Sequence, residues 1–149
     1  GRVGDEERLH YGSKGITFTV YVDDIRGYVG AAACFVVPLR VGGGTRLKIL
    51  DAWAMGKAFI STRAGAEGLD AIENQNIVLR EDAQSFADAV LNVLDDKALR
   101  ERLGRAGRAL VEQKYAWDSF REPMIAAYAV AQQARGRSQS LRSTSPVPA

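Results

Sequence analysis

The sequence predicts an α/β fold, in which a parallel sheet is flanked by helices. Short apolar runs typical of strands alternate with helical patterns along the chain, which favours parallel strands joined by helices. The 149 residues, of which 46% are hydrophobic, can bury one core but not two. One apolar run also leads directly into Gly42, Gly43 and Gly44 and then into a helical pattern. A glycine turn between a strand and a helix is typical of phosphate-binding α/β domains.

The predicted strands are short apolar runs bounded by turn residues: Ile16–Val20, Cys34–Pro38, Ala58–Ser61 and Ile77–Leu79. The second run is continuously apolar, which predicts a strand that is buried on both faces and leaves its sheet at Pro38. A helix is predicted over Asp24–Ala33, with Asp23 and Asp24 placed to cap its start. The single histidine, His10, falls in a polar leading helix, so we expect it on the surface.

Three helical patterns follow the last predicted strand, and Asp82 is expected to cap the first. The apolar face of that helix consists of Phe86, Val90, Val93 and Leu94. The other two patterns run over Lys97–Lys114 and from Asp118 to about Gln133. Four arginines lie around the second helix among glutamates, as expected of a solvated face: Arg100, Arg102, Arg105 and Arg108. Residues 135–149 lack apolar periodicity, so we expect a disordered tail after a domain that spans residues 1–134.

The helix after the glycine turn is predicted from about Arg46 to Met55, with Thr45 as its cap. Its free N–H groups and its positive dipole end point back at the turn, which favours a bound phosphate there. Arg46 and Lys48 add positive charge at the same end. The helix is therefore a candidate for binding a phosphorylated ligand.

Asp51 is the unusual residue of this helix, because aspartate is a poor helix former and lies here among apolar residues. The spacing of Gly44, Lys48 and Asp51 predicts one shared face that looks toward the turn. A neighbouring apolar row is predicted from Leu47, Leu50 and Ala54. The carboxylate of Asp51 could accept hydrogen bonds from paired hydroxyls such as those of a ribose. The alternative is a surface ion pair between Lys48 and Asp51.

Two common phosphate motifs do not fit this turn. GxGxxG would require glycine where Leu47 stands, and Gly56-Lys57 lacks both the following Ser or Thr and the upstream glycine of a P-loop. The segment VPLRVGGGTRLKILDAWAMGKAFISTRAGAEGL instead resembles the donor-binding segment of glycosyltransferase family 4, the group 1 retaining transferases. The resemblance extends from about Gly15 to Phe120, through the lead-in GITFTVYVDDIRGYVGAA and the terminal KYAWDSF.

The resemblance implies a GT-B enzyme, in which two Rossmann-like domains face each other and the C-terminal one holds a nucleotide-sugar. This chain would be most of that C-terminal domain, an α/β Rossmann-like sheet without its first two strands. Its partner would be a missing N-terminal GT-B domain, which carries the catalytic and acceptor-binding groups in the family, so the catalytic residues are unknown here. The family's last helix crosses onto that domain, so we expect residues 117–128 to expose apolar surface. Trp53 and Trp117 are expected in a core or an interface.

The donor-binding residues implied by the turn and by the resemblance are Gly43, Gly44, Thr45, Arg46, Leu47, Lys48, Asp51 and Glu67. Asp51 stands in the place of the family's ribose-binding glutamate, and Gly43 replaces a second glutamate eight positions earlier. The backbone N–H groups of residues 44, 45 and 47 would bind the diphosphate or the ribose. Glu67 has two open roles, contact with the donor sugar and helix capping. Arg40 either reaches the phosphate or points to solvent.

Composition excludes several classes of function. The net charge of +2 is too weak to indicate a nucleic-acid partner, and aromatic residues are not interleaved with basic ones. The sequence has no apolar run long enough for a transmembrane segment, and the N-terminus lacks the apolar core of a signal peptide. The single cysteine, Cys34, excludes a disulfide framework and favours the cytoplasm, with buried packing as its expected role. No carboxylate cluster suggests a metal, and no cofactor is expected besides the nucleotide-sugar substrate.

These observations lead to the hypothesis of a donor-binding domain of a retaining glycosyltransferase. It would transfer a hexose from a UDP- or GDP-sugar to a polysaccharide or glycolipid acceptor, and we expect the chain alone to be inactive. Relatives with lipid-linked acceptors work at the inner membrane face, which is a second expected location. The alternative is a non-catalytic nucleotide-binding or interaction module left from a truncated transferase. A sugar-nucleotide epimerase shares the two-lobed architecture but is expected to carry a different residue set around its turn.

Overall fold

The computed structural model describes residues 3–19, 21–44 and 46–143, with side chains described as far as residue 135. The chain divides into two compact units, Gly1–Ala32 and Ala33–Ala149. The predicted domain over residues 1–134 stays a prediction.

The first unit contains two helices, α1 over Asp5–Gly12 and α2 over Arg26–Ala31. The second is a shorter form of the helix predicted there. Asp24 accepts a hydrogen bond from the backbone N–H of Arg26 at 2.9 Å, and the side-chain hydrogen bonds from Arg26 lower the pKa of Asp24. The predicted strand over Ile16–Val20 is wrong for residues 16–19, because a strand needs a hydrogen-bonded neighbour and none pairs with them in the described part of this unit. Val20 lies outside the described residues.

The second unit is built on a parallel sheet of three strands: β1 (Cys34–Val37), β2 (Ala58–Ser61) and β3 (Val78–Leu79). The strands lie in the order β1-β2-β3, with Cys34 opposite Ala58 in the register. This arrangement confirms the predicted parallel α/β architecture. All four residues of β2 are buried, whereas Val36 of β1 is 43% exposed. The prediction that β1 is buried on both faces is therefore wrong, because β1 is an edge strand of the described sheet and is covered less than the central strand.

The second unit also contains the helices α3 (Leu47–Ala54), α4 (Arg63–Ala66), α5 (Ala83–Asp95), α6 (Lys97–Leu110) and α7 (Trp117–Ser143). A five-residue π-helix, Val111–Tyr115, follows α6, so the predicted helix over Lys97–Lys114 changes its hydrogen-bond pattern near its end. Asp82 caps α5, as predicted, by accepting a bond from the backbone N–H of Ser85 at 2.9 Å. Helix α7 continues past residue 135, where the tail was predicted to begin. Residues 144–149 lie outside the described part.

The core forms on both faces of the sheet because successive residues of β2 point to opposite sides. Phe59 packs on one side in a cluster of Ile49, Ala52, Trp53, Ala66 and Ile77. On the other side, Ala58 and Ile60 pack in a cluster with Val78, Ala89, Val93 and Leu103. Helix α3 covers the first face, and α5 and α6 supply the second cluster. Cys34 packs against that second cluster, and burial raises the pKa of its thiol.

The buried row of α3 differs from the predicted one. Ile49, Ala52 and Trp53 are buried, whereas Leu47 is 60% exposed and Ala54 is also exposed. Apolar residues occur around most of this helix, so their period alone does not decide which row meets the sheet. Trp53 is the largest of these buried side chains, and its Nε1 donates to the backbone carbonyl of Asn76 at 3.0 Å.

Several large apolar side chains of α7 are exposed, as expected: Trp117, Phe120, Met124, Ile125 and Tyr128. Trp53 is buried in the core, whereas Trp117 is 86% exposed. Within the described residues, no helix combines the length and the apolar character needed to cross a bilayer.

Candidate donor site

The candidate site lies at the carboxyl end of β1, where the glycine turn leads into α3. In open α/β sheets, ligands bind beyond the carboxyl ends of the strands. Of the three glycines in the turn, Gly44 is the one with a positive φ, at +92°, a conformation that favours glycine over other residues. Arg46 occupies the N-cap position of α3, and no side-chain cap is made there. Thr45, the predicted cap, lies outside the described residues.

The first turn of α3 has two backbone donors without an acceptor among the described residues. The N–H groups of Ile49 and Leu50 bond to the carbonyl of Arg46 at 3.0 and 3.4 Å, whereas those of Leu47 and Lys48 have no acceptor in the described part of the chain. Unbonded N–H groups at a helix start, together with the helix dipole, favour an anion. This arrangement agrees with the predicted phosphate role of the segment, which remains a prediction.

A cleft of about 370 Å³ opens beside these donors. It is lined by Val37, Leu39, Gly43, Arg46, Leu47, Lys48, Ile49 and Gly65. The cleft therefore brings together four of the predicted site residues with the end of β1 and the start of α4. Its volume lies at the lower end of the range of small-molecule sites, about 300–1,000 Å³.

Arg46 is turned toward the backbone. Its Nη2 donates to the carbonyls of Gly42 at 2.9 Å and Ala64 at 2.6 Å. Its Nη1 lies 3.5 Å from the carbonyl of Gly43. The side chain is 8% exposed, and Nη2 lies 3.6 Å from a carboxylate oxygen of Glu67.

The remaining charged residues of the predicted site are exposed. Lys48 lines the cleft, whereas Asp51, one helical turn later, does not. No ion pair joins Lys48 to Asp51 in the described structure, so the alternative of a surface ion pair is not observed. Glu67 follows α4 in its C-cap position and its side chain is 76% exposed. It caps no helix N-terminus in the described part of the chain and does not line the cleft; its observed partner is Arg46.

Arg40 lies outside this cleft. It is exposed and lines a neighbouring cleft of about 310 Å³ with Glu81, Asp82 and Phe86, between the end of β1 and the start of α5. The structure therefore separates Arg40 from Lys48, although both are basic and lie close in sequence.

Comparison with known proteins agrees with this geometry. The sequence model of the glycosyl transferases group 1 family matches residues 2–96 of the chain. The chain belongs to this family. This match begins before Gly15 and ends before Phe120, which bound the resemblance seen in the residues themselves.

A solved structure supports the same assignment for this group 1 domain. The chain is similar to the crystal structure of the C-terminal domain of a glycosyl transferase group 1 family protein, LpcC, from Francisella tularensis, with 26% sequence identity and a TM-score of 0.62. The similarity covers 75% of this chain and 62% of the solved one. The fold is thus that of the C-terminal domain of a GT-B glycosyltransferase. No curated protein gives a significant match.

The sequence did not lead us to the residues that connect the end of β1 to α4 beside the cleft. Thr62 caps α4 by accepting from the N–H of Gly65 at 3.0 Å, and its hydroxyl donates to the carbonyl of Leu39. A side chain at Gly65 would meet Ser61 Oγ at 2.2 Å, so this glycine permits close packing. A threonine directly after a strand and three residues before a glycine is a signal that could have indicated this capped turn.

Proposed function

We propose that this chain is the donor-binding part of a retaining glycosyltransferase. The enzyme would transfer a hexose from a UDP- or GDP-sugar to a polysaccharide or glycolipid acceptor. The observation that carries the proposal is the cleft at the start of α3, lined by Gly43, Leu47 and Lys48, where the N–H groups of Leu47 and Lys48 have no acceptor among the described residues. Membership of the group 1 family supports transferase chemistry, and the family resemblance supports retention.

The proposed chemistry of the cleft is electrostatic. As the bond between the sugar and the diphosphate breaks, negative charge grows on the departing diphosphate. The N–H groups of Leu47 and Lys48, and the ammonium group of Lys48, would stabilise that charge. Donors fixed in position before the reaction can supply several kcal/mol of transition-state stabilisation. The acceptor and the catalytic groups would be held by a second lobe, and the enzyme would work in the cytoplasm or at the inner membrane face.

Asp51 is proposed to bind the ribose of the donor. It lies on α3 one turn beyond Lys48, is exposed, and makes no ion pair with the described residues. A carboxylate that is free of partners can accept two hydrogen bonds from neighbouring hydroxyls. Diphosphate at the helix start and ribose one turn further would place the nucleotide along α3.

The test is isothermal titration of the chain with UDP, GDP and a UDP-sugar, for the wild type and for Asp51→Ala. We expect saturable binding of one nucleotide and a loss of about tenfold or more in affinity for the variant, equivalent to about 1.4 kcal/mol. Asp95→Ala is the matched control, because Asp95 is an exposed aspartate at the end of α5 and has no described ion pair. Equal affinity of wild type and Asp51→Ala would exclude the ribose role. Absence of any nucleotide binding by the folded chain would contradict the donor site in this chain.

The runner-up function is a non-catalytic nucleotide-binding or interaction module. The exposed apolar side chains of α7, among them Trp117 at 86% exposure, favour a protein-binding surface in either case. Nucleotide binding without sugar transfer, measured in the full-length protein, would favour the module over the transferase.

A further inference from the structure

The guanidinium group of Arg46 bridges two loops at the carboxyl edge of the sheet. Two of its acceptors, Gly42 and Gly43, lie in the turn after β1, whereas Ala64 lies in α4 after β2. A guanidinium presents several N–H donors in a fixed planar fork, whereas an ammonium is a point charge. Arg46 therefore joins the glycine turn to α4 in a way that lysine could not reproduce in full.

This bridge acts on a segment that has little structure of its own. Consecutive glycines have the largest conformational freedom to lose on ordering, and Gly44 adopts a φ of +92°. The direction of the donors at the start of α3 depends on this turn. Holding the turn in place before a ligand arrives lowers the entropic cost of binding.

The observed position of Arg46 has an energetic cost. The Nε atom is buried and has no hydrogen-bond partner in the described structure, and a buried unsatisfied donor is unfavourable. The side chain is 8% exposed, so its charge is directed to backbone carbonyls rather than to the open side of the cleft. An apolar side chain would avoid this cost but could not donate to the carbonyls of both loops.

We propose that Arg46 is a positioning residue of the donor site. It does not bind the diphosphate itself but holds the glycine turn against α4, so that the N–H groups at the start of α3 face the phosphate. Glu67, the C-cap residue of α4, adds an ion pair to the guanidinium, with a carboxylate oxygen 3.6 Å from Nη2. The expected effect on nucleotide binding rests on the proposed function. The expected effect on the order of the glycine turn does not depend on that function.

The test compares Arg46→Lys and Arg46→Met with the wild-type chain in two measurements. The first is the ¹⁵N order parameter of the amides of residues 42–44 in the absence of ligand. The second is the affinity for UDP and GDP by isothermal titration. The matched control is Arg63→Met, which removes an arginine from the start of α4 whose side chain is exposed and makes no described hydrogen bond.

We expect both Arg46 variants to lower the order parameters of the turn from values typical of rigid backbone, about 0.85, to below about 0.6. We also expect both to weaken nucleotide binding by about tenfold or more, while Arg63→Met leaves both measurements unchanged. Wild-type affinity in Arg46→Lys would overturn the inference, because charge alone would then suffice. Unchanged turn order in Arg46→Met would overturn it as well. If the wild-type chain binds neither nucleotide, the proposed function fails and the order parameters alone decide the role of Arg46.

Discussion

Gly107 allows α6 to pack directly against Trp53 of α3, and its replacement by alanine tests that packing. A methyl group at this position would lie 2.3 Å from Cδ1 of Trp53 and 2.8 Å from both Cγ and Nε1. The indole is fully buried, and its Nε1 donates to the backbone carbonyl of Asn76 at 3.0 Å. We predict that Gly107→Ala lowers the free energy of unfolding.

The magnitude follows from three contributions. Non-bonded carbon atoms prefer separations of about 3.5–4.0 Å, so the indole must move by more than about 1 Å. Overpacking of this kind costs about 1–3 kcal/mol, and weakening the bond from Trp53 to Asn76 adds about 1 kcal/mol. The better helix propensity of alanine offsets about 1 kcal/mol. The expected net loss is about 1–3 kcal/mol, a large share of the stability of an ordinary domain.

The assay is urea unfolding followed by far-UV circular dichroism. With a slope of about 1–3 kcal/mol/M, the midpoint should fall by about 1 M. Gly27→Ala is the control, because this helical glycine of α2 has no atom within 4 Å of the added methyl, and its midpoint should stay constant or rise. In a Trp53→Leu background the cost of Gly107→Ala should shrink, since the clashing ring is gone. A Gly107→Ala midpoint equal to that of the wild type would refute the packing argument.

Two further predictions concern charged residues. Lys48→Gln should weaken the binding of a nucleoside diphosphate by about fivefold at low salt, because an exposed ion pair is worth up to about 1 kcal/mol. Titration at rising salt should show the difference shrinking, and an equal loss for a nucleoside without phosphate would contradict the phosphate role. Hydrogen bonds from Lys114 and Tyr115, each 3.1 Å from a carboxylate oxygen of Asp70, lower the pKa of Asp70. This contact should stabilise the fold above the unfolded pKa of about 3.9 and be lost as the pH falls through the lower folded value. The stability difference between wild type and Asp70→Asn, measured by urea unfolding, should therefore be constant near neutral pH and shrink below about pH 4; a difference independent of pH would contradict it.

The strands and helices of the second unit were largely predictable because their signals are local. The apolar run over residues 58–61 predicted β2 with its observed bounds, and Asp82 marked the start of α5. The wrong predictions concern features that depend on contacts with other segments of the chain. Residues 16–19 have the composition of a strand, but strand formation depends on a hydrogen-bonded neighbour. The exposure of Val36 depends on the position of β1 in the sheet, which composition does not encode.

In the candidate site, too, the local features were predictable and the contacts between distant segments were not. The glycine turn, Lys48 and the start of α3 were predictable, because a strand, glycines and a helix in succession dictate where free N–H groups lie. The direction of Arg46 was not, since an arginine beside a phosphate turn can bind either the ligand or the protein. The deciding partner is the carbonyl of Ala64, which lies 18 residues away in sequence and approaches only when β1 and β2 pair.

The arginines of α6 extend this argument to the rest of the fold. The predicted solvated face is confirmed for Arg102, Arg105 and Arg108, which are exposed. In addition, three of the four arginines donate to backbone carbonyls of other segments. Arg100 binds the carbonyls of Val93 and Leu94 in the last turn of α5, Arg108 binds that of Ala54 at the end of α3, and Arg102 binds that of Asn74. The last carbonyls of a helix lack intrahelical partners and carry the negative end of its dipole, so cationic donors stabilise them. Arg100 and Arg108 thus satisfy carbonyls at the ends of α5 and α3, and Arg46 likewise donates to backbone carbonyls at the glycine turn.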